Sequence, residues 1–121
     1  MATFTKVKLS ESDDGRGIKV NQTAIATGKL IHTGSATSTT YDEVWLYAVN
    51  TSASAVKLTI GWGGVTDPDD TIELTVQPEA GLVTIAPGLL LKGNATPKTI
   101  KAAAATADVI TIHGFVNQIS V

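Results

Sequence analysis

Cysteine is missing from the 121-residue chain, so disulfides, thiolate metal sites and a cysteine nucleophile are all excluded. Charge is sparse as well: charged residues make up 17%, with 9 Lys plus Arg against 11 Asp plus Glu, a net charge of -2. That balance gives no broad positive field for a phosphate backbone, and nucleic acid is not expected as a partner. No run approaches the roughly 18 consecutive apolar residues of a membrane span, so no membrane association is expected. Residues Met1 to Leu9 contain no continuous apolar stretch of the kind that forms a secretory signal. Aromatics are few, at 5%. Three Asn-x-Ser/Thr triplets begin at Asn21, Asn50 and Asn94, and in a chain this rich in Ser and Thr they arise by chance.

The commonest residue is Thr, 18 of 121, whose branched Cβ suits a pleated, half-buried surface and weakly disfavours helix interiors. Strict alternation marks two strands with one face in a core: Val56, Leu58, Ile60 and Trp62 against Lys57, Thr59 and Gly61, then Ile72, Leu74 and Val76 against Thr71, Glu73 and Thr75. In Tyr41 to Asn50 both parities are apolar, Val44, Leu46 and Ala48 on one and Trp45, Tyr47 and Val49 on the other. The run from Val109 to Val116 behaves alike. Such strands require cover on both faces, from a second layer or from another molecule.

Turn residues recur about every ten positions, as in a sandwich or barrel of hairpins. The strands read from this spacing are Thr3 to Leu9, Gly17 to Val20, Lys29 to Thr33, Tyr41 to Asn50, Val56 to Trp62, Thr71 to Val76, Leu82 to Ile85, Leu89 to Leu91, Thr99 to Ala104 and Val109 to Val116. Pro87-Gly88 reads as a turn between two of them. Ala102 to Ala105 has helix propensity, but a helix so brief is marginal alone, and a strand is expected. Thr33 to Thr40 reads as a polar, mobile loop. The expectation is one all-β domain over residues 1–121, an antiparallel, jelly-roll-like β-sandwich, with residues 1–16 as a candidate N-terminal arm.

A chemistry is harder to find. His32 and His113 are the two histidines, neither with a His or carboxylate at ligand-pair spacing, and both read as structural. No Gly-x-Ser-x-Gly elbow is present, and no enzyme is expected. Asp67, Asp69 and Asp70, with Glu73 nearby, lack the punctuation of a calcium loop and read as a solvated turn, so neither a metal nor a cofactor is expected. Lys6, Lys8, Arg16 and Lys19 concentrate positive charge near the N-terminus, where it either guards an edge strand or meets an acidic surface. Trp45, Tyr47 and Trp62 read first as bulky core residues, with an aromatic platform as the alternative.

The stretches Tyr41 to Thr51 and Val56 to Gly64, with Gly81 to Gly93 and the ending Val109 to Asn117, resemble small virion proteins of tailed bacteriophages over about Ile31 to Val121. The resemblance implies a capsid decoration, or cement, protein: made in the host cytoplasm, often a trimer, bound to the outside of an assembled head and contacting the major capsid protein. It transfers no functional residue. The residues themselves suggest Phe4, Lys6, Lys8, Trp45 and Tyr47 as the partner-binding set, the first three on an arm able to add a strand to a neighbouring edge. The alternative is a receptor- or glycan-binding module of a tail fibre or baseplate, using Trp62 or Tyr47 and the Asp67 to Asp70 loop.

Overall fold

The computed structural model describes residues 2–121 and consists of nine antiparallel strands among them, with one 3₁₀ turn, Ile25–Thr27. The strands are β1 (Thr3–Lys8), β2 (Ile18–Lys19), β3 (Lys29–Thr33), β4 (Thr40–Asn50), β5 (Val56–Trp62), β6 (Thr71–Val76), β7 (Val83–Lys92), β8 (Thr99–Ala104) and β9 (Ile110–Ser120). The first sheet runs β1–β9–β4–β7, and β2 joins the same side of β9 as a continuation of β1's edge. The second sheet runs β3–β8–β5–β6. The chain crosses between sheets at every connection except β1–β2 and β5–β6, the order of a jelly roll.

The alternation in β4 and β5 is the alternation of the core. Val44, Leu46 and Ala48 from β4 meet Ile112 and Val116 from β9 on the inner side of the first sheet, opposite Leu58, Ile60, Ile100 and Ala102 from the second. Fully burying each larger aliphatic side chain contributes about 1.5 to 3 kcal/mol. No aromatic side chain among the described residues is buried, which overturns the placement of Trp45 and Tyr47 in the core. Ala102–Ala104 is buried strand, its small side chains letting the 3₁₀ turn pack over β5 and β8.

Two segments differ from the sequence reading. Pro87-Gly88 is no turn; it lies inside β7, where the register against β4 shifts between Val44 and Trp45 and again between Leu46 and Tyr47. An edge strand accommodates it because Pro there removes no ladder bond that an interior strand would require. The second correction concerns the arm. Met1 lies outside the described residues, but Thr3–Lys8 pairs along six residues of β9 as an edge strand, and beyond it Leu9 and Ser12 are buried. Leu9 to Ser12 is therefore part of the domain's body, and Asp13 to Arg16 is an exposed turn that follows it. The loop over Thr33 to Thr40 is tied to the β7–β8 connection through the Asn94 N–H, which donates to the Ser35 carbonyl at 3.0 Å.

Candidate functional site

The outer face of the first sheet gathers the residues that the core leaves out. Strand register sets them in rows that cross β1, β9, β4 and β7: Phe4, Ile119, Tyr41 and Lys92; Lys6, Asn117, Glu43 and Leu90; Lys8, Phe115, Trp45 and Pro87; then His113, Tyr47 and Thr84. Five of the chain's six aromatic residues stand here, the exception being Trp62. All five residues of the expected partner-binding set, Phe4, Lys6, Lys8, Trp45 and Tyr47, share this face. The second sheet's outer face is different in kind, built from Lys57, Thr59, Thr71, Glu73, Thr75 and Lys101.

At the centre the rings stand side by side. Trp45 and Phe115 are stacked with centroids 5.8 Å apart and planes within 7°. The Lys6 ammonium sits 4.5 Å from the Phe115 centroid, a cation–π contact. On the far side the Trp45 ring overlies Gly88, where an added Cβ would lie 3.1 Å from Cζ2. Gly88, at φ 84, thus supplies both the backbone bend of the bulge and the room for the indole. Phe115 thus lies between Trp45 and the Lys6 ammonium, and Trp45 between Phe115 and Gly88.

Glu43 pins the row. Its Oε1 accepts from Trp45 Nε1 at 2.9 Å and from Asn117 Nδ2 at 3.0 Å, joining β4 to β9. The Asn117 amide first, then the Trp45 indole, holds the Glu43 carboxyl below its ordinary value, with a small opposing effect from burial. The face thus carries an ionised carboxylate in an aromatic surround, flanked by lysines. Around it Phe4 is 72% and Leu90 54% exposed, large apolar side chains left in water.

The histidines lie elsewhere in role. His32 is buried on β3, its Nδ1 accepting the Ser10 N–H at 3.0 Å and its Nε2 2.8 Å from Asp42 Oδ2. A backbone amide can only donate, so the ring proton is on Nε2 and points at Asp42. Both ring nitrogens are engaged, and the pair ties β3 to β4 across the two sheets. Nothing in the sequence spacing marks Asp42 as this partner. His113 packs against Gly17 in the gap between β1 and β2, its Nε2 3.2 Å from Thr111 Oγ1.

Three of the acidic hairpin's carboxylates are engaged within it. Asp67 Oδ1 accepts from Thr71 Oγ1 at 2.7 Å, Asp70 Oδ2 accepts from the Thr66 N–H at 3.0 Å, and Glu73 pairs with Lys57 at 3.0 Å. Trp62 is half-buried against the core, its Nε1 donating to the Leu90 carbonyl at 3.4 Å. Trp62 and the Asp67–Asp70 turn share the β5–β6 hairpin region of the second sheet, and Trp62 touches the first sheet at the β7 border.

No protein-family model matches the chain, and no curated protein matches it. Among solved structures it is similar to one described as belonging to Bacillus endospore appendages, a novel family of disulfide-linked pili. Identity is 16% and the TM-score 0.42, over 98% of this chain and 88% of that one. This chain has no cysteine with which to form such a linkage.

Proposed function

We propose that the chain is a non-enzymatic structural protein of a phage virion, which docks through the outer face of its first sheet onto the outside of an assembled head and stabilises the capsid lattice. The observation that carries the docking step is the segregation of aromatics: five of six stand on one solvent-facing sheet while the core is aliphatic. Aromatic residues are enriched where proteins bind one another, because they cover large area with few rotatable bonds. The assignment to a phage head rests on the sequence resemblance, which also suggests a trimer and the major capsid protein as partner. A protein that binds only the assembled lattice stabilises it by mass action, as RT ln(1 + [L]/Kd), and many copies act together. A sugar-stacking platform is less well served, since Trp45 and Phe115 already have one another, Lys6 and Gly88 as neighbours.

Cosedimentation with mature heads, and separately with tails, tests the proposal. The expected result is saturable pelleting with heads at a stoichiometry tied to capsid symmetry, lost in Phe4→Ser/Tyr47→Ser. Pelleting with tails alone, or with neither, would overturn it.

A further inference from the structure

The outer face of the first sheet is charged unlike the chain that bears it. Lys6 and Lys8 rise at its β1 border and Lys92 at its β7 border, three lysines against the single carboxylate of Glu43, although the whole chain carries a net charge of -2. Lys19 at the lower margin is compensated by Asp108 at 3.9 Å. Of the other nine carboxylates, Asp42 is buried, Asp67 and Asp70 close the β5–β6 hairpin, Glu73 pairs with Lys57 and Asp13 with Arg16 at 3.6 Å, and Glu11, Asp14, Asp69 and Glu79 lie outside the cross-strand rows. The cations are spread around the apolar centre, Lys6 over Phe115 and Lys92 6.0 Å from the Tyr41 centroid.

Resting on the docking reading above, we infer that the partner is an acidic protein surface, apolar in its middle to receive Phe4, Leu90 and the Trp45–Phe115 pair, and bearing carboxylates at its rim opposite Lys6, Lys8 and Lys92. Both hydrogen bonds to Glu43 end on Oε1, and among the described residues none reaches Oε2. A donor on the partner opposite Oε2 completes the match. Two other occupants fit less well. A second copy docked face to face sets one net-positive face against another, which like-charge repulsion opposes. Single-stranded nucleic acid calls for a continuous positive groove that tracks its backbone, whereas these lysines are split between the β1 and β7 borders with an apolar centre between them.

The test has two arms, with variants whose fold is checked by their urea midpoints. In the first, the protein is applied at low ionic strength to beads carrying poly-L-glutamate, poly-L-lysine or single-stranded DNA. Retention on poly-L-glutamate despite the net negative charge is expected, with release by salt and at least about tenfold weaker binding in Lys6→Glu/Lys8→Glu/Lys92→Glu. Failure to bind poly-L-glutamate, binding indifferent to the lysines, or tighter retention on DNA would overturn the inference. In the second arm, pelleting with heads is compared for Phe4→Ser and for the lysine triple variant. Loss with Phe4→Ser but not with the triple variant would overturn the acidic partner and leave docking standing. Indifference to both would overturn the docking reading itself, and the bead arm would still decide the charge of the surface.

Discussion

Nε2 of His32 stands 2.8 Å from Oδ2 of Asp42, and this buried hydrogen bond joins consecutive strands that belong to opposite sheets. The other ring nitrogen takes the Ser10 N–H and the other carboxylate oxygen takes Gln118 Nε2 at 3.1 Å, so four segments meet at one pair. Asp42→Ala leaves the buried imidazole N–H without an acceptor and is expected to cost about 3 kcal/mol in urea unfolding. Asp42→Asn is expected to cost less, about 1 kcal/mol, because its amide oxygen still accepts from His32 and the Gln118 amide is able to turn over to accept from its nitrogen. Equal losses in the two variants would show that the contact with His32 does not govern the effect.

Leu58 and Trp45 test the division between core and face. Leu58 is fully buried among the aliphatics of the second sheet, and Leu58→Ala is expected to cost about 2 to 5 kcal/mol. Trp45 lies on the outer face, stacked on Phe115, and Trp45→Ala is expected to cost less than Leu58→Ala in the same unfolding measurement, since only part of its contact area is taken from water. The reverse order would return the indole to the core.

How far the sequence reveals this arrangement depends on which step is asked of it. The inner parity of β5 is plain because Lys57 and Thr59 alternate with Val56, Leu58 and Ile60. In β4 both parities are apolar, so alternation alone leaves open whether Val44 or Trp45 faces inward, and the size of tryptophan argues for the wrong side. The small aliphatics win because the space between the sheets is filled by Leu46, Ile60, Ile112 and their neighbours, leaving the indole outside. The assembly of Lys6, Asn117 and Glu43 into one row is illegible locally: it rests on a register between segments more than seventy residues apart. Phe4, Lys6, Lys8, Trp45 and Tyr47 are recognisable one by one as residues that suit a partner; only the jelly-roll order makes them neighbours.

Truncation separates the two halves of the N-terminal segment. Along Thr3–Lys8 only Val7 packs against the core, whereas Leu9 is 1% exposed and Ser10 bonds both His32 and Thr33. Removing residues 1–6 is expected to leave a cooperatively folded domain. Removing residues 1–10 is expected to lower the midpoint much further, because a buried leucine and the His32 amide partner go with the strand. Similar melting of the two truncated forms would make Leu9 and Ser10 dispensable and restore an arm that reaches beyond β1.

Glu43 gives the face a pH dependence whose sign is fixed. Its carboxyl is held below the ordinary 4.5 by Asn117 and Trp45, so the unfolded chain takes up this proton first as pH falls. The stability that Glu43 contributes is complete above that ordinary value and is lost as pH drops through the lower folded one. Comparing urea midpoints at about pH 6 and about pH 3 is expected to give a smaller acid loss for Glu43→Gln than for the unaltered chain. An undiminished acid loss would mean that the two hydrogen bonds to Oε1 do not favour the ionised form.

Gly114 sits in the middle of β9, opposite Leu46, at the only glycine in the β4–β9 ladder. A Cβ built there would run into the carbonyl oxygen of Trp45, backbone that belongs to the sheet's central strand and has no side-chain freedom with which to yield. Gly114→Ala would push β4 and β9 apart where the core and the aromatic row are both anchored. The expected cost is about 1 to 3 kcal/mol, the range for forcing extra atoms into a packed interior. Near-ultraviolet circular dichroism and the urea midpoint read the two consequences separately, since the first reports the Trp45–Phe115 environment and the second the whole fold. Gly17→Ala is the control: its Cβ would meet the His113 ring, a half-buried side chain beside the gap between β1 and β2 rather than backbone, so a smaller loss is expected. If both alanines lower the midpoint equally, close approach of the β4 and β9 backbones is not what demands glycine at position 114.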